Sequence, residues 1–111
     1  MTDPSASLLH VAVRTDGDTV TMLLAGEFDL DAAAYFSARA NEALESDAAT
    51  LVIDLADLTF IDSTGVASVL ELYHRLSAGG RALRVINVSR QPAGVFAMTG
   101  LTGSALQIIE E

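Results

Sequence analysis

The chain has 111 residues, the usual size of one hydrophobic core, and 50% of them are apolar against 19% charged, which leaves no room for a multidomain enzyme and argues against disorder. Six Arg and no Lys stand against 15 acids, a net charge of -9 that repels nucleic-acid phosphates and anionic membranes. There is no Cys for a disulfide, thiol nucleophile or metal site, no signal-peptide pattern at the start, and no apolar stretch near the roughly 20 residues that insert across a bilayer, so a soluble cytoplasmic protein is expected.

After a polar leader at residues 1–7, one domain is expected from 8 to 111. Residues 9–15 and 19–25 read as strands, and Asp16-Gly17-Asp18 between them makes a hairpin. Gly26-Glu27-Phe28-Asp29 interrupts the pattern. From 31 to 44, Ala33, Phe36, Ala40 and Leu44 recur at helical spacing, with Asp29 or Asp31 as the cap. Residues 50–55 are nearly all apolar, as in a central strand covered on both faces, and 58–62 lead from it toward the next helix. That helix, over 64–76, carries Val66, Val69, Leu70, Tyr73 and Leu76 on one stripe, and Gly79-Gly80 stops it with left-handed backbone. Leu83, Val85 and Ile86 form a strand ending near Asn87. Pro92 fits the first turn of a short helix carrying Val95, Phe96 and Met98, and 106–109 make a last strand. The order β-β-α-β-α-β-α-β predicts an α/β fold with a mixed, mostly parallel sheet, an N-terminal β-hairpin and amphipathic helices.

Asp62-Ser63-Thr64-Gly65 stands where the chain enters a helix, whose first N–H groups lack partners and whose dipole is positive there. Ser63 has two compatible readings, an N-cap whose hydroxyl accepts from the backbone, or a phosphoacceptor whose phosphate those N–H groups would hold. Asp62 is the alternative cap, which leaves Ser63 and Thr64 in the first turn. His10 and His74 read as structural or incidental, so no Ser-His-Asp enzyme is expected. Asp29, Asp31, Asp54, Asp57 and Asp62 read as caps and solvated loop acids, with no metal and no catalytic residue assigned. The glycines match no phosphate-binding loop, so no cofactor is assigned. Phe28, Phe36, Phe60, Tyr73 and Phe96 read as core, and Tyr35 as a partly exposed contributor to a partner surface.

Gly26-Glu27-Phe28-Asp29, Leu51-Val52-Ile53-Asp54-Leu55 and Phe60-Ile61-Asp62-Ser63-Thr64-Gly65-Val66, followed by Gly79-Gly80, Leu83-Arg84-Val85-Ile86-Asn87 and Met98-Thr99-Gly100-Leu101, together resemble the STAS domain, and within it the bacterial anti-sigma factor antagonists. The likeness runs over roughly residues 8–109, with Val66 where the family often has Leu or Ile. It implies a single STAS-like domain. It further implies that Ser63 is phosphorylated by a partner anti-sigma factor with serine kinase activity, which supplies the ATP site. The unphosphorylated antagonist would bind that kinase and release sigma factor, regulating transcription in a stress response, and a phosphatase would reset the phosphorylated form. By the same match Asp29 and Asp62 contact the partner or support the phosphosite, beside Thr64 and Gly65.

Two other readings compete. A non-switching STAS subunit of a stress-signalling scaffold or transport system would use Ser63 chiefly as a cap, and a small-ligand or nucleotide sensor would bind ATP or GTP without a phosphate loop. The acidic composition permits both monomer and dimer.

Overall fold

In the computed structural model, which describes residues 8–98, the chain runs as β1 (Leu9–Asp16), β2 (Thr19–Phe28), a 3-10 turn (Leu30–Ala32), α1 (Ala33–Leu44), β3 (Thr50–Ile61), α2 (Ser63–Ala78), β4 (Ala82–Ile86) and α3 (Arg90–Met98). The expected leader, the strand at 106–109 and the Thr99-Gly100-Leu101 part of the resemblance lie outside the described residues. The sheet order is β1-β2-β3-β4. β1 and β2 are antiparallel, whereas β2 with β3 and β3 with β4 are parallel, as the alternation of strands and helices predicts.

Two strands run past their expected ends. β2 continues through Gly26 to Phe28 and β3 through Leu58 to Ile61, because the two complete each other's ladder as Gly26↔Leu58, Glu27↔Phe60 and Phe28↔Ile61. Between Leu23↔Asp54 and Ala25↔Asp57 β3 advances three residues against two, and a second shift follows Gly26. Such bulges break the apolar alternation that marks a strand in sequence while keeping the backbone paired. Gly26 itself lies at φ +99°, where a β-carbon would collide with the Leu8 carbonyl.

The core lies between the sheet and the helices, and Phe28 and Phe36 meet there with ring centroids 4.7 Å apart. α1 buries Phe36, Ala40 and Ala43, while Ala33 and Leu44 are only half-buried. α2 buries Val66, Val69, Leu72 and Leu76, so its stripe is centred toward Leu72 and leaves the expected Leu70 and Tyr73 half-buried. Phe96 is buried as expected. Phe60 is not core: it is 38% exposed, since Ile61 and Phe28 face the helices and their strand neighbours Phe60 and Glu27 face the opposite side. Tyr35 is half-exposed, and its hydroxyl accepts the Val11 N–H at 3.3 Å while Arg39 donates to the Val11 carbonyl at 3.3 Å. Both side chains thereby occupy backbone groups at the outer edge of β1.

The helix stop is a Schellman motif one residue later than the first glycine. Gly80, at φ +73°, is left-handed, Arg81 donates its N–H to the Leu76 carbonyl at 2.8 Å, and Gly80 donates to Ser77 at 3.0 Å. This geometry delivers the Arg81 guanidinium to the end of α1. There it donates to the carbonyls of Ala48 at 2.8 Å, Ser46 at 3.0 Å and Leu44 at 3.3 Å. One side chain thus joins the C-terminal ends of both helices. Arg81→Ala should cost about 2 kcal/mol, because charge-assisted bonds are the stronger ones but water reaches this half-buried site. A lower urea midpoint at unchanged slope is the expected result, and an unshifted midpoint would show that the loop holds without Arg81.

Candidate functional site

The ends of β2 and β3 stand side by side, Phe28 opposite Ile61, and each strand is followed by an aspartate that turns the chain into a helix. The Asp62 N–H donates to the Phe28 carbonyl at 3.2 Å and completes the last rung. Asp29 accepts the Asp31 N–H on Oδ1 at 3.1 Å and caps the 3-10 turn. Asp62, with φ -112° and ψ -175°, accepts the Gly65 N–H on Oδ1 at 3.0 Å, while its carbonyl accepts the Val66 N–H at 3.0 Å. The two carboxylates therefore do the same work on adjacent strand ends, whose backbones lie roughly 5 Å apart.

Asp62 is the N-cap, which corrects the reading of Ser63 as cap. A carboxylate three residues before a glycine N–H is an effective acceptor, and once it occupies that position Ser63 becomes the first helical residue. Ser63 is exposed, and among the described residues its hydroxyl makes no hydrogen bond. Thr64 is half-buried, and its carbonyl accepts the Ser68 hydroxyl at 3.0 Å. Gly65 is buried. A β-carbon there would lie 2.5 Å from Ile61 Cγ1 and 2.9 Å from the Phe28 carbonyl oxygen, so only glycine lets α2 start this close to the sheet. The structure thus gathers Asp29, Asp62, Ser63, Thr64 and Gly65 at one corner, with Ser63 the outward hydroxyl.

Residues with no local signal complete the corner. Ile61 donates its N–H to Gln91 Oε1 at 2.9 Å and accepts from Gln91 Nε2 at 3.0 Å, across 30 positions of sequence. Leu30, which follows Asp29, is 69% exposed, and Phe60, which precedes Ile61, is exposed on the opposite sheet face. Leu30 had no periodic partner to mark it, and the Phe60 pattern suggested core.

His74 is eleven positions along α2 from Ser63, roughly 16 Å at helical rise, so it cannot serve as a base for that hydroxyl. His74 instead packs its ring against Tyr73 with centroids 5.4 Å apart, and His10 is exposed on β1. A concavity of about 380 Å³ involves His10, Leu23, Ala25, Tyr35 and Asp57, and no residue of the Ser63 corner lines it. Among the described residues no cluster of three or more His, Cys, Asp or Glu converges to hold a metal, and no helix is long and apolar enough to cross a membrane. Asp54 instead accepts the Ala56 N–H at 2.9 Å and the Asn87 amide at 3.1 Å, which stabilises the bulged stretch of β3.

Residues 11–110 match the family model described as Mlab, STAS domain. Among solved structures, the anti-sigma factor antagonist SpoIIAA in its unphosphorylated form is 24% identical over 92% of this chain and 88% of its own, with a TM-score of 0.76. SpoIIAA in the phosphorylated form, described as a Bacillus cell fate determinant, is 26% identical over 92% and 91%, with a TM-score of 0.70. An anti-sigma factor antagonist from Mycobacterium paratuberculosis shares the fold at 20% identity, over 84% and 79%, with a TM-score of 0.77. So does a sulfate transporter family protein from Wolinella succinogenes, at 15% over 87% and 80% with a TM-score of 0.71.

Proposed function

The chain belongs to the STAS domain family, and from that premise we propose that it is a cytoplasmic anti-sigma factor antagonist whose partner affinity is switched by phosphorylation of Ser63. In its unmodified form it binds an anti-sigma factor that is also a serine kinase and displaces sigma factor. The kinase transfers the γ-phosphoryl group of its own ATP to the Ser63 hydroxyl, and a phosphatase reverses the modification. This chain is the regulated binding partner, and catalysis belongs to the proteins it meets.

The observation that carries the reading is the division of labour at the start of α2. Asp62 performs the cap, so the exposed Ser63 hydroxyl has no structural task within the described residues. A phosphate placed there meets the positive end of a 16-residue helix and water, so the fold tolerates it. Likeness to a protein solved both with and without phosphate supports the same reading.

Intact-mass measurement and site mapping after incubation with the candidate kinase and ATP provide the test. One phosphate on Ser63, absent from Ser63→Ala, is the expected result. An unmodified chain beside a demonstrably active cognate kinase would move the assignment to a second reading, a non-switching STAS subunit of a transport system. A sulfate transporter family protein of the same fold is the observation that keeps this as the second reading.

A further inference from the structure

The outer edge of β3 changes partner partway along its length. β4 pairs with β3 only from Thr50↔Ala82 to Asp54↔Ile86, and beyond that point α3 lies against the strand. Two side chains from the start of α3 meet the carbonyls and N–H groups a further strand would have met. Ser89 donates its hydroxyl to the Leu58 carbonyl at 3.2 Å, and Gln91 makes the two-way exchange with Ile61 at 2.9 and 3.0 Å. A primary amide offers one acceptor and one donor in a plane, which is the pattern a neighbouring strand presents.

Ile61 is the fulcrum of the Ser63 corner. Its side chain is the surface that would strike a β-carbon at Gly65, and the next residue is the cap that holds the Gly65 N–H. We infer that Gln91 is the positioning residue of this corner, its side-chain amide standing in for a strand beside Ile61 and thereby tying α3 to the entry of α2. Any shift of the α3 N-terminus is passed through Ile61 to the Asp62 cap and the seat of Gly65, with Ser63 between them. α3 therefore sets how the acceptor hydroxyl is presented. The importance of this linkage rests on the phosphoswitch reading, whereas its geometry does not.

The test is amide hydrogen exchange on the free full-length chain, comparing wild type with Gln91→Glu and Gln91→Ala. Gln91→Glu keeps size and the acceptor for the Ile61 N–H, but points a carboxylate oxygen at the Ile61 carbonyl. At pH 7 the amides of Ile61, Asp62, Gly65 and Val66 should exchange about tenfold faster than in wild type in Gln91→Glu and at least as fast in Gln91→Ala, the change expected from one or two ordinary hydrogen bonds. Amides of α1 and the β1–β2 hairpin should stay within about twofold.

Unchanged exchange at these four amides would overturn the proposal, and so would acceleration spread evenly over all elements. Affinity for the kinase partner should fall about tenfold in Gln91→Glu at pH 7. If Ser63 proves not to be phosphorylated, the exchange result still decides the positioning role, because no partner enters that measurement.

Discussion

Phosphorylation of Ser63, and to a lesser degree Ser63→Asp, should lower affinity for the proposed anti-sigma partner by about a hundredfold, while Ser63→Ala should bind like wild type and resist modification. The free protein bears the added charge easily, because Ser63 is exposed and first in α2, where water and the helix N-terminus both favour an anion. In the proposed complex that surface would be covered. A dianion that loses its water without gaining a cation costs about 2–5 kcal/mol, and the neutral hydroxyl costs almost nothing. On the proposed reading the switch would act on the interface and leave the domain folded. Calorimetric titration of the three forms against the partner reads the affinities, and thermal melts should place Ser63→Asp within about 2 °C of wild type. Equal binding by Ser63→Ala and Ser63→Asp would refute the charge mechanism, and a large loss of melting temperature would make the effect one of folding.

Gly65→Ala is expected to remove about 3 kcal/mol of stability and to weaken partner binding as well. Helix propensity alone would reward the change by about 1 kcal/mol. Sterics dominate, because the new carbon would lie 2.5 Å from Ile61 Cγ1, 3.0 Å from Ile61 Cδ1 and 2.9 Å from a carbonyl oxygen that the Asp62 N–H already fixes. The near atoms are a branched, buried side chain and backbone, so relief requires α2 to lift away from the sheet. Lifting it moves the Asp62 cap and Ser63 together. Gly94 in α3 gives the control: nothing lies within 4 Å of a β-carbon there, so Gly94→Ala should stabilise by roughly 0.5–1 kcal/mol. Urea denaturation of the pair should separate them in opposite directions. Equal midpoints for Gly65→Ala and wild type would mean that the corner is slack, and the tight seat assigned to Gly65 would be wrong.

Much of this corner is legible in the sequence. Asp62-Ser63-Thr64-Gly65 announced a helix entry, and Asp62 was one of two admissible caps. The spacing does not separate Ser63 from Thr64 as phosphoacceptor; Ser63 is exposed and Thr64 half-buried. Gln91 was invisible because its bonds to Ile61 span 30 positions and follow no period. Arg81 was likewise silent, since its partners are carbonyls, which every residue type carries equally.

The sequence alone carries the order of the described strands and α-helices, the hairpin at Gly17 and the helix stop at Gly79-Gly80, but not the 3-10 turn over Leu30–Ala32 that stands where the first helix is expected to begin. Those follow from chain stiffness, local turn geometry and apolar period, all of which act over a few residues. Only the tertiary structure decided that β2 and β3 extend each other to Phe28 and Ile61, that Phe60 faces outward, that Leu72 rather than Tyr73 centres the α2 stripe, and that Asp62 leaves the Ser63 hydroxyl unengaged. In each case the deciding partner lies on another element, and a contact between distant segments acquires its energy only after the chain has closed around it.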